Sequence, residues 1–175
     1  MIIKLLLLLL SLVKIKEPVK IVPAITSNYQ IPIKEEKKEK KQYESPIGYI
    51  KIESINLFNK LYNPNSKLNN IEENITILKA SQDIESTNSL IVLAAHSGEG
   101  KIAYFNNLDQ LTINEEITLN YYNHNYTYII TNIFEEEKTG YIKIAKTNES
   151  QLILTTCSTS NKNKQLIIES KLKEP

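Results

Sequence analysis

The sequence predicts a mainly β fold, an antiparallel barrel or sandwich, and three observations carry that prediction. Apolar residues recur as short runs or in strict alternation, at strand length, about eight times between Ile47 and Ile168. Clusters of Asn, Gly, Pro and Ser separate these runs, as turns require. Helical spacing, which a parallel α/β sheet would need between its strands, is confined to two short stretches.

The 175 residues suffice for one domain and a short extension. Residues 1–13 open with Met1-Ile2-Ile3-Lys4 and continue as an apolar run to Val13. That run is shorter than the roughly 20 residues that cross a bilayer. It fits the apolar core of an export signal, or an anchor shortened at its start. Residues 14–42 carry Pro18, Pro23 and Pro32, and then the mixed-charge run from Lys34 to Lys41, without apolar periodicity. They are expected to form a solvated stalk, which leaves residues 43–175 as the folded domain.

Within that domain Tyr49 to Ile52 and Ile55 to Leu57 alternate as strands do, on either side of a Glu53-Ser54 step. Asn63-Pro64-Asn65-Ser66 is a turn, and Ile71 to Asn74 is spaced for one helical turn. Ser89 to Ala95 is a continuous apolar run, expected to be a central strand, and it ends at His96. Gly98 and Gly100 follow. Ile102 to Leu111 then has helical spacing, with Phe105, Leu108 and Leu111 on one side. Glu116 to Tyr121 and Tyr126 to Ile133 are strands joined by a turn at Asn123-His124-Asn125. Tyr141 to Ala145, Leu152 to Thr156 and Leu166 to Ile168 complete the set.

Composition narrows the chemistry. Net charge is +1, so no strongly basic face argues for nucleic acid. One cysteine excludes an internal disulfide, and no Cys/His cluster has metal-ligand spacing. All 21 basic residues are lysine, which matters wherever a site wants a planar fork of donors. The acidic run Glu135 to Glu137 is placed in a loop; three consecutive carboxylates cannot all face one ion, so calcium is not expected to bind there. His124 is expected to be an exposed turn residue.

Two strands end in residues able to do nucleophilic chemistry, His96 and Cys157. Cysteine attacks as the thiolate, and a histidine beside it can hold that form or carry the proton to a leaving amine. Both residues stand where a buried strand meets a polar loop, the usual place for a site on a β scaffold. On spacing alone, an inert buried thiol and a structural histidine are the commoner reading of such residues.

The surrounding residues resemble the sortases, cysteine transpeptidases of Gram-positive-type cell surfaces. Ile153-Leu154-Thr155-Thr156-Cys157 is similar to their Thr-Leu-x-Thr-Cys motif, with Ile153 in place of the first Thr. Ala94-Ala95-His96-Ser97 is similar to their Ala-Gly-His-Ser motif except at Ala95. Gly98 to Leu111 resembles the family's Gly-x-Gly stretch and Phe-x-x-Leu helix, and Ile47 to Ile52 its first strand. The resemblance spans about residues 45 to 172 in unbroken order. It implies a closed eight-stranded β-barrel with one or two short helices, Cys157 and His96 as catalytic residues, and no required cofactor, although some sortases bind calcium. A domain outside the cell held at the membrane by the N-terminal segment is likewise implied.

One departure stands out. Sortases carry an arginine at the start of the last strand, held to bind the substrate peptide and stabilise the oxyanion, and this chain has none. Counting back from Leu166 puts either Lys164 or Gln165 at that position. Losing one oxyanion donor costs about 3 kcal/mol in well-studied enzymes, roughly a hundredfold in rate. Lys164 is the expected substitute, because a cation favours the thiolate. Gln165 is grouped with Ala95, Ser97 and Thr156 as residues expected to line the peptide groove.

The implied reaction cleaves a sorting signal resembling Leu-Pro-x-Thr-Gly through a Cys157 thioester. The protein that bears the signal then passes to an amine of a peptidoglycan precursor or a pilin. Two rivals are a sortase-like protein that binds sorting signals but turns over poorly, and a peptidase in which water resolves the thioester.

Overall fold

The computed structural model describes residues 44–145 and 147–173. The expected export segment and stalk, residues 1–13 and 14–42, lie outside the described residues. No helix among the described residues is long and apolar enough to cross a membrane.

Eight strands form one sheet: β1 (Gly48–Ile52), β2 (Leu57–Leu61), β3 (Thr76–Ile77), β4 (Leu90–Ala94), β5 (Glu116–Tyr121), β6 (His124–Glu137), β7 (Gln151–Cys157) and β8 (Lys164–Leu172). Their order is β2-β1-β5-β6-β8-β7-β4-β3, curled into a nearly closed barrel. Every neighbouring pair is antiparallel except β4 and β7, which are parallel. Beyond β3, the side chain of Asn69 takes the place of a further strand: it accepts from the Ile77 N–H at 2.7 Å and donates to the Ile77 carbonyl at 3.0 Å.

Strand alternation fills the barrel. Ile50, Ile52, Ile91, Leu93, Ile117, Leu119, Tyr128, Ile130, Leu152, Leu154, Leu166 and Ile168 point inward into one core. Val92, Ile153 and Ile167 point outward, beneath Phe134, Ile142 and Ile144. The three strands β4, β7 and β8 are therefore buried on both faces, which is why they appear in the sequence as continuous apolar runs.

A β-bulge in β6 decides which residues meet at the rim. Register across β6 and β8 shifts between Ile130 and Asn132, so Thr131 is an extra residue. One added residue reverses the alternation beyond it. Tyr128 and Ile130 face the core before the bulge, and Ile133 after it. Phe134 and Glu136 are turned to the outer face with Ile167 and Gln165, their partners on β8.

The structure departs from several sequence expectations. Tyr141 to Ala145 is not a strand. Ile142 and Ile144 there are half-buried against the outer cluster, so their alternation came from packing and not from a ladder. Ile102 to Leu111 folds as turns with one 3-10 helix at Leu108–Gln110, although Phe105, Leu108 and Leu111 are all buried as the spacing required. A second 3-10 turn occupies Glu53–Ile55, so β2 begins at Leu57 and not Ile55. The hairpin between β5 and β6 turns at Tyr122 and Asn123, both at positive φ (43° and 67°), one residue earlier than expected. His124 is exposed but belongs to β6. The Glu135 to Glu137 run is the end of a strand, not a loop.

Candidate active site

The single parallel pair creates the site. β4 and β7 run side by side with Ala94 opposite Thr155, so the next residues place His96 alongside Cys157 at one rim of the barrel. Alternation puts both on the outer face, since their inward neighbours Ala95 and Thr156 are buried. Neither His96 nor Cys157 is fully buried, and Cys157 is a free thiol. The register thus puts a half-buried thiol and a half-buried imidazole at neighbouring strand ends on one face.

Side-chain bonds to backbone hold the two strand ends together. Thr156 Oγ1 donates to the Ala95 carbonyl at 2.8 Å, and Ser97 Oγ donates to the Cys157 carbonyl at 2.6 Å. After His96 the chain turns away through Gly98 (φ 111°) and Gly100 (φ 129°), conformations that glycine adopts without steric cost. The Phe105 N–H returns to the His96 carbonyl at 3.0 Å, anchored by the buried Phe105 ring. The helical turn expected at Ile71 to Asn74 exists as a single turn, with the Asn74 N–H bonded to the Asn70 carbonyl at 2.8 Å. It presents Glu72 Oε1 to His96 Nε2 at 3.4 Å, and Tyr104 steadies it through its hydroxyl on the Glu73 carbonyl at 3.0 Å.

The residues expected to line a groove fare differently. Ala95 and Thr156 point inward and are spent on the core and the strand lacing, so they are not presented to a ligand, for the same reason of alternation. Ser97 is half-buried against the Cys157 carbonyl. Gln165 lies directly opposite Cys157 in the β7–β8 ladder, on its face. Its Nε2 donates to Glu136 Oε1 at 2.8 Å and to the Tyr141 carbonyl at 3.0 Å, so both amide hydrogens are engaged.

Lys164 is not placed where the cation was expected. It alternates with Gln165 and so shares the face of Leu166 and Ile168, opposite Glu137 and near Glu135. A different lysine meets the thiol: Lys138 Nζ donates to Cys157 Sγ at 2.8 Å. The sequence reading missed Lys138 because it ended the strand at Ile133 and could not see the bulge that sets the direction of the residues after it. Glu72 was also missed, although the helical turn that carries it was legible.

The loop after Cys157 is closely bonded. Ser158 and Ser160 hydroxyls donate to Glu135 Oε1 at 2.5 and 3.0 Å, and these bonds hold that carboxyl below its usual range. Thr159 Oγ1 donates to Asp109 Oδ2 at 2.8 Å, joining this loop to the 3-10 turn after His96. Glu135 is bonded to these hydroxyls and Glu136 to Gln165, and successive members of the acidic run face opposite sides of the strand. Among the described residues no group of three His, Cys, Asp or Glu is arranged to hold a metal ion.

Comparison with known proteins agrees with this fold. No curated protein matches the chain. Among solved structures, sortase C1 of Streptococcus agalactiae superposes with a TM-score of 0.64 at 24% identity, over 74% of this chain and 68% of that one. A lid mutant of sortase A from Corynebacterium diphtheriae gives 0.66 at 18% identity, over 78% and 75%. Sortase C of Streptococcus pneumoniae, a structure concerned with catalysis and pilin substrate specificity, gives 0.66 at 21%, over 77% and 71%. At these identities the likeness is one of fold. The sequence model of the Sortase domain matches residues 50–173, from the first strand to the end of the last, and the chain belongs to the sortase family.

Proposed function

We propose that the protein is a cysteine transpeptidase that cleaves a sorting signal resembling Leu-Pro-x-Thr-Gly and transfers the protein bearing it to an amine. The observation that carries this reading is the register of the parallel pair, which sets His96 alongside Cys157 at an accessible rim. The Cys157 proton passes to His96, and the thiolate attacks the carbonyl of the Thr-Gly-type bond. As the tetrahedral intermediate collapses, the C–N bond breaks, His96 returns the proton to the departing amine, and a thioester remains. An incoming amine attacks that thioester, gives a proton to His96, and releases the thiolate as the new amide forms. Glu72 Oε1, 3.4 Å from Nε2, holds the orientation of the His96 ring.

The acceptor is an amine of a peptidoglycan precursor or a pilin. The apolar segment at 1–13 and the charged stretch at 14–42 support a domain held outside the cell at its membrane. The test is turnover: full-length protein is incubated with a labelled signal peptide, with and without an amine acceptor. A ligated product that requires the acceptor supports the transpeptidase; a hydrolysed product alone would make the protein a peptidase.

A second reading has one observation in its favour. The residue opposite Cys157 is Gln165, uncharged and with its donors engaged. A protein impaired in turnover would bind the signal peptide and leave it intact, an outcome that the same assay detects with a binding readout.

A further inference from the structure

At the end of β6, Lys138 brings its ammonium onto the Cys157 sulfur, Nζ to Sγ 2.8 Å. Three features of the fold produce this contact. The bulge at Thr131 reverses the alternation of β6, so that Glu136, and after it Lys138, fall on the outer face with Cys157. The Lys138 N–H donates to the Asn163 carbonyl at 2.8 Å, which continues the β6–β8 pairing one residue past the strand and fixes the Lys138 backbone beside the active-site loop. The Ser158 N–H bonds the Lys164 carbonyl at 3.0 Å, which fixes the Cys157 end of the same loop. Apart from the His96 imidazole, the neighbouring strand positions supply no positive charge on that face. Gln165 is neutral, with its amide hydrogens on Glu136 and Tyr141, and Lys164 faces the other way.

We propose that Lys138 is the catalytic cation of this site, an ammonium from β6 that holds the Cys157 thiolate where an arginine on β8 is absent. The proposal rests on the reading of Cys157 as the nucleophile. An ammonium at hydrogen-bond distance from sulfur can donate to the attacking thiolate and offset its charge. The charged and polar groups around the sulfur are then His96 from the end of β4, Lys138 and Glu136 from β6, and Gln165 from β8. Glu136 would oppose the thiolate, but its carboxylate is held by Gln165 Nε2. Gln165 thus takes a positioning role: by bonding Glu136 and the Tyr141 carbonyl together, it keeps the segment after Lys138 folded against the rim. A lysine has three donors on a rotatable head, so the same ammonium can follow the charge from sulfur to the oxyanion as the thiolate adds to the carbonyl.

The test needs no substrate, so its failure is separable from failure of the transpeptidase reading. Full-length protein and its Lys138→Ala, Lys138→Arg and Lys164→Ala variants are alkylated with iodoacetamide, and the modification of the single cysteine is followed by intact mass. Near neutral pH the rate should fall about fivefold in Lys138→Ala, stay within about twofold in Lys138→Arg, and be unchanged in Lys164→Ala. At about pH 10, where an ordinary thiol is ionised, the four proteins should react alike. Thermal melts of the same samples confirm folding, and Lys138→Arg keeps the test valid if the alanine variant is unstable. Equal rates at neutral pH for Lys138→Ala and the parent would overturn the proposal. So would a larger loss in Lys164→Ala.

Discussion

Ser97 Oγ donates to the main-chain oxygen of Cys157 at 2.6 Å, and one residue back Thr156 Oγ1 donates to the main-chain oxygen of Ala95 at 2.8 Å. The two bonds run in opposite senses between the same strand ends, so the spacing of His96 and Cys157 is fixed by more than the β4–β7 ladder. Removing the half-buried member, Ser97, should cost little stability and more activity. Ser97→Ala is expected to lose about 1 kcal/mol in urea unfolding and roughly tenfold or more in acylation rate, because misplacing reacting groups is expensive. Thr156→Val leaves a buried carbonyl unpaired and should cost about 1–3 kcal/mol by the same measurement. A Ser97→Ala variant with unaltered acylation would show that the ladder alone sets the geometry.

Gly48 should tolerate no side chain. A Cβ there would lie 1.9 Å from the Asn120 carbonyl oxygen, which is backbone and cannot rotate away. Gly48→Ala must therefore force β1 off β5 at the start of the barrel, and overpacking of this kind costs about 1–3 kcal/mol or more. Chemical denaturation should show a marked drop in midpoint or no folded protein at all.

Tyr128 is fully buried, and its hydroxyl finds no hydrogen-bond partner among the described residues. Burial pushes its pKa from 10.0 up to about 12. The sign follows from linkage: between those values the unfolded chain has lost the proton that the folded chain keeps. Stability is therefore intact below the ordinary value and falls as pH rises through the folded one, by roughly 2–3 kcal/mol for this group. Tyr128→Phe should remove that alkaline loss and be neutral to slightly stabilising near neutral pH. Parallel alkaline melts of parent and variant would test it.

Glu135 works in the opposite direction. The Ser158 and Ser160 hydroxyls hold its carboxyl below the ordinary value of 4.5. A depressed folded value gives a contribution present above 4.5 and lost as pH falls through the folded value. Acid should loosen the loop after Cys157 before the barrel unfolds. Hydrogen exchange of residues 158–163 at low pH should show this opening early, and Ser158→Ala should show it already at neutral pH.

Much of this fold was legible from the sequence where one element decides its own fate. The buried runs ending at His96 and Cys157 stand out because β4 and β7 are covered on both faces. Phe105, Leu108 and Leu111 were recognisable as core, although irregular turns with one 3-10 helix present them. The faces of the rim were not legible. They depend on one extra residue at Thr131, an event between two strands that leaves no mark on apolar periodicity. That bulge turns Lys138 to the face of Cys157, whereas Lys164 is turned away by the alternation of β8 itself. The two-residue strand β3 was missed for a related reason, since it is defined by its partners and not by its own pattern.

The most direct measurement of the central claim is the intact mass of the full-length protein after brief incubation with a Leu-Pro-x-Thr-Gly-type peptide. The account predicts a mass gain equal to the acyl portion of the peptide, located on Cys157 and removed by hydroxylamine. It should be absent in Cys157→Ala and reduced by about two orders of magnitude or more in His96→Ala. An adduct that persists in Cys157→Ala, or no adduct with any of a panel of such peptides, would contradict it.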